Sequence, residues 1–313
     1  MSSSLNQTPA LNLAVPCYNR PQLVKGLLQN IIDIDLHKKV RLGVLIVDNS
    51  EDSRVLNEVQ DFQEIINITY IKNPVNIGAG KNVIECFKLS SGDFLHIISD
   101  KVRFKREYID VILEVMDRDC KLSFLEYDIY DQEPSSPTEE NCVDEIEGIE
   151  LDFSNILAKK SYKLTHLSSL IFNLNFLDFE RLDLDLDLSF IPHTHVFFNQ
   201  ASISNNVLVF NNASLAVGGN NSVIYSILDV FYVDFLGIYK KYRRQVRVID
   251  RLRFSMNHFL WLQRVLWGVR DKKRMQFLIK NSTNAKRKFE FKFFVSSITN
   301  SISLIRNRFK DWN

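Results

Sequence analysis

Apolar runs of strand length alternate with amphipathic helical patterns through the first 130 residues, and this alternation constrains the fold more than any other feature of the chain. The runs that predict buried strands cover residues 11–15, 41–47, 68–72, 93–99 and 121–130. The helical patterns lie between them, over residues 21–32, from the turn after residue 72 to about Leu89, and over 105–117. Such alternation is typical of a mostly parallel sheet with flanking helices, so the expected class is an α/β fold.

The pattern is less regular in the second half of the chain. Residues 131–150 are acidic and rich in Pro and Ser, which predicts a surface loop or hinge. Beyond it, residues 165–173 and 206–212 predict strands, with a helix near 193–204 between them. The alternating run LDLDLDL at 182–188 predicts a strand with an acidic solvated face in preference to a cation site.

A net charge of only +1 over 313 residues conceals a strong asymmetry. Residues 1–238 carry 19 basic and 34 acidic side chains, whereas residues 239–313 carry 20 basic and 4 acidic ones. A basic segment of this kind predicts an anionic partner, and the alternative interpretation is a basic helical tail folded onto an acidic body.

Residues 254–269 add an amphipathic pattern to this basic segment. Apolar side chains recur at helical spacing and arginines flank them: Phe254, Leu262, Val265, Leu266 and Val269, with Arg251, Arg253, Arg264 and Arg270. A basic amphipathic helix with a nearby Trp261 is typical of a membrane-surface segment. Nucleic acid is the other anionic candidate, but no nucleic-acid-binding module accompanies the segment. We therefore expect 239–313 to contact an anionic membrane surface, and we expect no nucleic-acid partner.

The remaining composition points to a cytoplasmic protein. The four cysteines form no C-x-x-C pair, which favours a reducing compartment over a zinc or disulfide site. The most apolar stretch, residues 223–239, contains Asp229 and Asp234, and no secretory signal is recognisable at the N-terminus.

Polar residues follow the predicted strands, and parallel sheets bind ligands at the carboxyl ends of their strands. After the first strand, Tyr18 offers an aromatic face to a base and Arg20 a charge to a phosphate. After the second, Asp48 can accept hydrogen bonds from a base or a ribose, or can equally cap an Asx turn.

A glycine-bearing turn into a helix follows the third strand. Gly78 and Lys81 there offer free backbone N–H groups and a cation beside a helix N-terminus, although the spacing is not that of a P-loop. Ser99, Asp100 and Lys101 follow the fourth strand.

These segments together resemble a known family. VPCYNRP, VLIVDNSEDS and NPVNIGAGKNVIECFKLSSGDFLHIISD are similar to the nucleotide-sugar-binding half of a GT-A (Rossmann-like) family 2 glycosyltransferase. THLSSLIFN and IPHTHVFF resemble the abequosyltransferase-like branch, which builds bacterial O-antigen and capsule glycans. The resemblance covers residues 11–220. It implies a GT-A domain over 1–220, with a nucleotide-sugar half at 11–130 and an acceptor half at 150–220, followed by a basic helical region at 221–313.

The resemblance also implies an activity and a set of residues. The activity is transfer of one hexosyl or deoxyhexosyl group, with inversion, from a nucleotide sugar to a lipid-linked glycan at the inner face of the cytoplasmic membrane. The nucleotide-sugar site would be formed by Pro16, Tyr18, Asn19, Arg20, Asp48, Asn76, Gly78, Lys81, Asn82, Ser99, Asp100, Lys101 and Arg103.

One position departs from the family's D-x-D motif. The motif reads Asp100-Lys101-Val102, so an apolar side chain stands where a ligand of Mn²⁺ or Mg²⁺ is expected. Three explanations are open: Lys101 or Arg103 neutralises the leaving diphosphate without a metal, a metal binds weakly through Asp100 and the diphosphate, or the protein only binds its ligand. The first is preferred, and the alternative function is a non-catalytic sugar-nucleotide-binding or assembly subunit.

An inverting transfer needs a general base, which this family usually supplies from a Glu-Asp pair that is missing from the second half. His195 is the first candidate and His193 the second, since imidazole titrates near neutrality. Either could instead be a packed or capping histidine. Ser168 and Ser169 are candidates for contacting the acceptor or sugar, or are structural.

Overall fold

A computed structural model describes residues 10–130, 147–177, 189–218 and 229–268, and it confirms the α/β class. The strands in this described part are β1 (Leu11–Cys17), β2 (Leu42–Asp48), β3 (Ile68–Lys72), β4 (Phe94–Ile97), β5 (Val102–Phe104), β6 (Leu122–Tyr130), β7 (Ile149–Leu151), β8 (Leu170–Asn173) and β9 (Val207–Gly218). The α-helices are α1 (Pro21–Asp33), α2 (Leu36–Lys39), α3 (Arg54–Gln60), α4 (Ala79–Leu89), α5 (Tyr108–Asp117), α6 (Phe153–Lys160), α7 (Pro192–Ser204), α8 (Phe235–Tyr242) and α9 (Val248–Gly268).

The strands form one sheet in the order β3-β2-β1-β4-β8-β6-β9-β5, with β7 also paired to β9. β1 to β4 run parallel to one another, whereas β8 lies antiparallel between β4 and β6. Because β8 is antiparallel to both β4 and β6, β6 runs in the direction of β4, and β9 is parallel to β6. The carboxyl ends of β1–β4, the second half of β6 and the start of β8 therefore lie at one edge of the sheet, which we call the site edge.

Helices cover both faces of the sheet and enclose two cores. Leu13 and Val15 of β1 face the first core, and the alternating Ala14 faces the second, as the two-residue period of a strand requires. α1 begins with Pro21, which is favourable at the first helical position, and buries an apolar stripe in the first core. The second core receives buried residues of α4, α6, α7, α8 and α9.

The structure follows the expected elements closely before residue 130 and departs from them at 165–173. Residues Ser161–Thr165 and Leu167–Ser169 form 3₁₀ turns, and β8 begins only at Leu170. The backbone N–H groups of His166 and Ser169 donate to the carbonyls of Lys163 (3.0 Å) and His166 (3.1 Å), so these N–H groups form turns and are not available to a strand ladder. The expected strand at 182–188 lies outside the described residues. Of the expected loop at 131–150, only residues 147–150 are described.

The first two C-terminal helices pack against the domain. Phe235 of α8 and Phe254 of α9 are buried in the second core, and the ring of Phe254 stacks on Tyr239 at 4.1 Å. Phe254, expected on a membrane-facing side, is thus a core residue, because aromatic partners from α8 cover it. No helix in the described ranges is both long and apolar enough to cross a bilayer.

Candidate active site

Hydrogen bonds join the turns that follow β1, β2 and β3 at the site edge. The backbone N–H of Asn19, which has a left-handed φ of 52°, donates to Ser50 Oγ at 2.8 Å. Asn49 Nδ2 donates to the carbonyl of Gly78 at 3.2 Å. Pro16 lies within β1 and Tyr18 directly after it, and both are half-buried. The candidate nucleotide residues are therefore neighbours in space.

Asp48 is fully buried at the end of β2, and donors of this chain surround its carboxylate. Tyr70 donates to Oδ2 at 2.6 Å, while Ser50 donates to Oδ1 from its backbone N–H at 2.8 Å and from Oγ at 2.5 Å. The Cys17 thiol is a further donor, with its Sγ 3.6 Å from Asp48 Oδ1. Burial and Asp48 raise the pKa values of both Cys17 and Tyr70. The bond from the Ser50 N–H forms the Asx turn that was the alternative interpretation of Asp48. A contact from Asp48 to a base or ribose stays a prediction, and Tyr70 is a neighbour that the sequence did not suggest.

An asparagine network fixes the turn that leads into α4. Asn73 Nδ2 donates to Asn49 Oδ1 at 2.7 Å and to Asn82 Oδ1 at 2.9 Å, and Asn82 Nδ2 donates to the carbonyl of Val47 at 3.0 Å. Asn82, expected beside the diphosphate, is thus buried with its amide engaged by the fold. The network holds the chain at Gly78 for the start of α4.

The first turn of α4 presents the groups expected to meet an anion. Asn76 Oδ1 accepts from the N–H of Gly78 at 2.9 Å, and Gly78 has a φ of 87° that favours glycine. Lys81 is exposed in this turn. Gly80 allows close approach of another segment, because a Cβ there would lie 2.2 Å from the carbonyl oxygen of Ser189.

Asp100 lies buried at the centre of the site edge and pairs with a cation from the first turn. Arg20 Nε is 3.1 Å from Asp100 Oδ2, and Ser99 Oγ is 3.3 Å from Oδ1. Burial raises the pKa of the Asp100 carboxyl, against the opposing effects of Arg20, Ser99, Lys101 and Arg103. Burial, and then the like charge of Arg20, lower the pKa of Lys101. The sequence suggested these residues one by one, whereas the pairing of Arg20 with Asp100 needed the structure.

The residues around Asp100 do not fit a divalent cation. Val102 is fully buried in the first core and offers no oxygen, and Arg103 Nη1 turns back to the carbonyls of Asp100 (3.3 Å) and Val102 (2.8 Å). Across the described ranges, no group of three or more His, Cys, Asp or Glu side chains could hold a metal ion. Hard cations require several oxygen ligands, and cationic side chains surround this carboxylate instead.

Ser168 and His96 connect the acceptor half to the turn at Asp100. Ser168 Oγ accepts from the backbone N–H of Ser99 at 2.9 Å, and the Ser168 carbonyl accepts from His96 Nε2 at 2.8 Å. His96 Nδ1 then accepts from the Tyr108 hydroxyl at 2.7 Å. Burial lowers the pKa of His96 to about 4, so this bridge is neutral. Ser168 and Ser169 are both fully buried, and Ser168 positions the Asp100 turn through its bond to the Ser99 N–H; a sugar contact from either serine stays a prediction.

His166 stands at the same edge and was not among the expected residues. Its ring stacks on Tyr127 of β6, with centroids 3.9 Å apart, and its Nδ1 lies 3.2 Å from Ser169 Oγ. Burial lowers the pKa of His166 to about 3, with smaller effects from His193 and His96. His166 lies in THLSSLIFN, for which the sequence predicts a strand. That predicted strand does not indicate a contact between His166 and Tyr127.

His193 and His195 lie on opposite sides of α7, because residues two apart on a helix point about 200° apart. His193 Nε2 is 2.9 Å from the carbonyl of Thr165, next to His166. Since a carbonyl only accepts, Nε2 carries the proton and Nδ1 keeps its lone pair; this buried Nδ1 has no partner in the described structure. Burial lowers the pKa of His193 to about 4. His195 instead lies edge-on to Tyr242 of α8, with centroids 6.1 Å apart.

Comparison with known proteins agrees with this architecture. The family model described as "Glycosyl transferase family 2" matches residues 13–173, a little over half of the chain. A curated protein of Haemophilus influenzae (strain ATCC 51907 / DSM 11121 / KW20 / Rd), described as "Uncharacterized glycosyltransferase", is 29% identical over 115 residues, which are 37% of this chain and 37% of that protein. The chain thus matches little more than a third of this relative's length.

Two solved structures share the fold at low sequence identity. The S. aureus TarS 1-349 complex with UDP has a TM-score of 0.60 at 15% identity, covering 87% of this chain and 81% of its own. The mannosyltransferase PcManGT from Pyrobaculum calidifontis, in complex with GDP-Man and Mn²⁺, has a TM-score of 0.52 at 13% identity, covering 88% of this chain and 84% of its own. The sheet and its helices are therefore those of GT-A glycosyltransferases.

Proposed function

The chain belongs to glycosyl transferase family 2, and from this premise we propose that it transfers one sugar from a nucleotide-diphosphate-sugar donor to an acceptor hydroxyl. The observation that best supports the proposal is the meeting of four turns at the site edge around the Arg20–Asp100 pair. Tyr18 offers an aromatic surface for the nucleoside, and the buried Ser50–Asp48–Tyr70 group supports the adjoining turn through the Asn19 N–H bond to Ser50 Oγ. Arg20 and Lys81, the latter in the first turn of α4, offer positive charge for the diphosphate.

The leaving diphosphate is neutralised by side chains in this proposal. Arg20 and Lys101 flank Asp100, and the positions that would complete a metal site are taken by Val102 and by Arg103. Electrostatic stabilisation of a leaving group requires positive charge already in place, and its source can be a guanidinium or an ammonium. Asp100 then orients Arg20, and Arg103 supports the turn through the Asp100 and Val102 carbonyls.

His193 is the general base in the proposed inverting displacement. The acceptor oxygen forms a bond to the anomeric carbon as the bond from that carbon to the diphosphate oxygen breaks. The electron pair leaves with the nucleoside diphosphate, and the acceptor proton passes to His193 Nδ1, whose lone pair is unpartnered in the described structure. His195 is the alternative base, but its ring faces α8.

The proposed acceptor is a lipid-linked glycan, and the transferred group is a hexose or deoxyhexose. The likeness to the abequosyltransferase-like branch suggests bacterial O-antigen or capsule synthesis at the inner face of the cytoplasmic membrane. The 20 basic side chains of residues 239–313 support an anionic membrane surface as partner. Under this proposal residues 1–220 carry the chemistry and 221–313 serve membrane association.

Val102 favours a second candidate function, a non-catalytic sugar-nucleotide-binding or assembly subunit. In that case the chain would bind a donor without turning it over. A glycosyltransferase with a soluble acceptor is the other alternative, and it predicts that residues 239–313 do not affect acceptor use.

Donor binding tests the proposal, by calorimetry with UDP-, GDP-, CDP- and dTDP-sugars in EDTA and again with Mn²⁺. We expect one nucleotide to bind in EDTA, with an affinity that Mn²⁺ leaves nearly unchanged. Binding that requires Mn²⁺ would contradict the role of Arg20 and Lys101. Binding without release of the nucleoside diphosphate, whatever acceptor is offered, would favour the non-catalytic subunit, and absence of binding would overturn the proposal.

A further inference from the structure

Helix α9 exposes an apolar face along its described length. Val248, Leu252, Met256 and Leu260 recur every fourth residue, which aligns them on one side of the helix. Their exposed fractions are 68, 63, 58 and 46%, and the adjacent Ile249 is 54% exposed. We call these five residues the α9 face.

The α9 face is not the side by which the helix packs on the domain. Asp250, Phe254 and His258 are buried, and they lie on the opposite side of α9. This packed side contains Phe254, the residue that the sequence pattern assigned to membrane contact. Contiguous exposed apolar surface of this kind marks a docking surface rather than a part of the core.

The charges around the α9 face are almost all positive. Asp250 is the one acidic residue among 235–268, and it is buried against Arg247 (2.6 Å) and Arg253 (3.3 Å). The basic side chains of this region are Lys240, Lys241, Arg243, Arg244, Arg247, Arg251, Arg253 and Arg264. A second copy docked through the same face would bring two such sets together, whereas an anionic surface complements them.

We propose that the α9 face enters the interface of an anionic lipid bilayer, with Arg243, Arg244 and the neighbouring basic side chains against the headgroup phosphates. An amphipathic helix of this composition lies in the plane of the interface with its apolar side at the acyl boundary. This inference rests on the proposed function, since it names the surface through which the enzyme would reach a lipid-borne acceptor.

The same helix contacts the acceptor end of the site. Trp261 of α9 stacks on Tyr162 with centroids 4.3 Å apart, and Tyr162 belongs to the 3₁₀ turn that leads into His166. Phe231 packs on the same Trp261 at 4.4 Å. Trp261 lies on the packed side of α9, so this helix separates a bilayer bound to the α9 face from the turn that leads into His166, and the docking face and the acceptor end of the site share one helix.

Vesicle co-sedimentation of the full chain tests the inference, with phosphatidylcholine vesicles that contain or lack phosphatidylglycerol. Two large apolar side chains leave the interface in the double variant Leu252→Gln/Met256→Gln, so we expect its partition onto the anionic vesicles to fall at least about tenfold. The matched control is Ile65→Gln/Ile203→Gln, which removes two exposed isoleucines elsewhere and should leave partition within about twofold. A second variant, Arg243→Gln/Arg244→Gln, should reduce the preference for anionic over zwitterionic vesicles.

Three results would overturn the inference: vesicle binding by Leu252→Gln/Met256→Gln equal to that of the unmodified chain, no preference of the unmodified chain for anionic vesicles, or conversion of a dimer to a monomer by that variant. Calorimetry with the nucleotide sugars, without vesicles, separates this inference from the proposed function. If the unmodified chain binds a nucleotide sugar and Leu252→Gln/Met256→Gln binds vesicles as well as the unmodified chain, only the docking face is refuted. If the unmodified chain binds no nucleotide sugar, the transferase is refuted and the vesicle result is unaffected.

Discussion

The donor side and the acceptor side of the site edge are built by different interactions. On the donor side, the amide side chains of Asn49 and Asn73, which follow neighbouring parallel strands, bond directly to each other, and Asn73 also bonds to Asn82 of α4. On the acceptor side, imidazoles connect elements distant in sequence, and the His96–Ser168 bond spans 72 positions. The donor side is thus assembled by adjacent β/α units, whereas the acceptor side forms only when the two halves of the chain meet.

The two sides also differ in charge. Arg20, Lys81 and Lys101 give the donor side an excess of positive charge, which suits a diphosphate. Burial keeps His96, His166 and His193 neutral, with pKa values of about 4, 3 and 4. A neutral imidazole can accept a proton from a hydroxyl, and an imidazolium cannot. The difference matches the two halves of a sugar transfer, in which one side stabilises negative charge and the other removes a proton.

The largest expected effect comes from the acceptor side, with His193→Gln. Loss of a general base should reduce kcat by about 10²–10⁴ and leave donor affinity unchanged. The control His195→Gln, on the α8-facing side of the same helix, should reduce kcat by less than about tenfold. Steady-state transfer and donor calorimetry measure both; equal losses in the two variants would contradict the assignment of the base.

The pH profile sharpens the same assignment. His193 loses its lone pair on protonation, so activity should decline as the pH falls through the pKa of about 4 that burial gives it. At neutral pH the profile should show no inflection from this group. An inflection near pH 6.5 that disappears in His193→Gln would instead show an exposed histidine.

On the donor side, Arg20→Gln should lower kcat by about 10²–10³, because it removes a fixed charge from the leaving diphosphate. It should also weaken nucleotide-sugar binding in EDTA. Arg106→Gln, at an exposed position before α5, is the control of equal charge change. The substitution leaves Asp100 buried beside one fewer cation, so thermal unfolding of both variants checks that the site edge is still folded. Unchanged turnover in a folded Arg20→Gln protein would refute the proposed role of Arg20.

The bond between His96 and Ser168, which connects the two sides, should affect how stability depends on pH. Burial holds the pKa of His96 near 4 in the folded protein, below the 6.5 of the unfolded chain. Between these values the unfolded state binds more protons, so the free energy of unfolding falls as the pH decreases from 6.5 towards 4, by about 3 kcal/mol from this group. Denaturant unfolding across this range should give a shallower slope for His96→Gln; an identical slope would contradict the assigned neutral bridge.

The smallest effect is expected from the donor-side network, with Asn73→Ala. It removes two buried hydrogen bonds, takes the Asn73 donor from Asn82 Oδ1 and leaves Asn49 Oδ1 with the 3.5 Å contact from the Ile77 N–H, which should lower the free energy of unfolding by about 1–3 kcal/mol. Asn57→Ala, at an exposed position of α3, should change it by less than about 0.5 kcal/mol. Chemical denaturation compares the two, and equal values would show that the network contributes little.

The sequence predicted the donor side better than the acceptor side for a physical reason. A parallel β/α unit is encoded by residues close together in sequence. The hydrophobic pattern of the chain therefore predicts β2, β3 and α4, and it also predicts that the polar residues at their ends lie together. β8 lies between β4 and β6 through antiparallel pairs that no local pattern encodes. The stacking of His166 on Tyr127 depends on that pairing, and the burial of Phe254 depends on a contact between two helices that no local pattern encodes.

Turnover in the absence of metal tests the central claim most directly. The measurement is the rate of nucleoside diphosphate release from the bound donor, in EDTA and then with added Mn²⁺ or Mg²⁺. We predict rates that agree within about twofold, because Arg20 and Lys101 already supply the positive charge. A rate that is negligible in EDTA and rises by more than about tenfold with metal would contradict that claim.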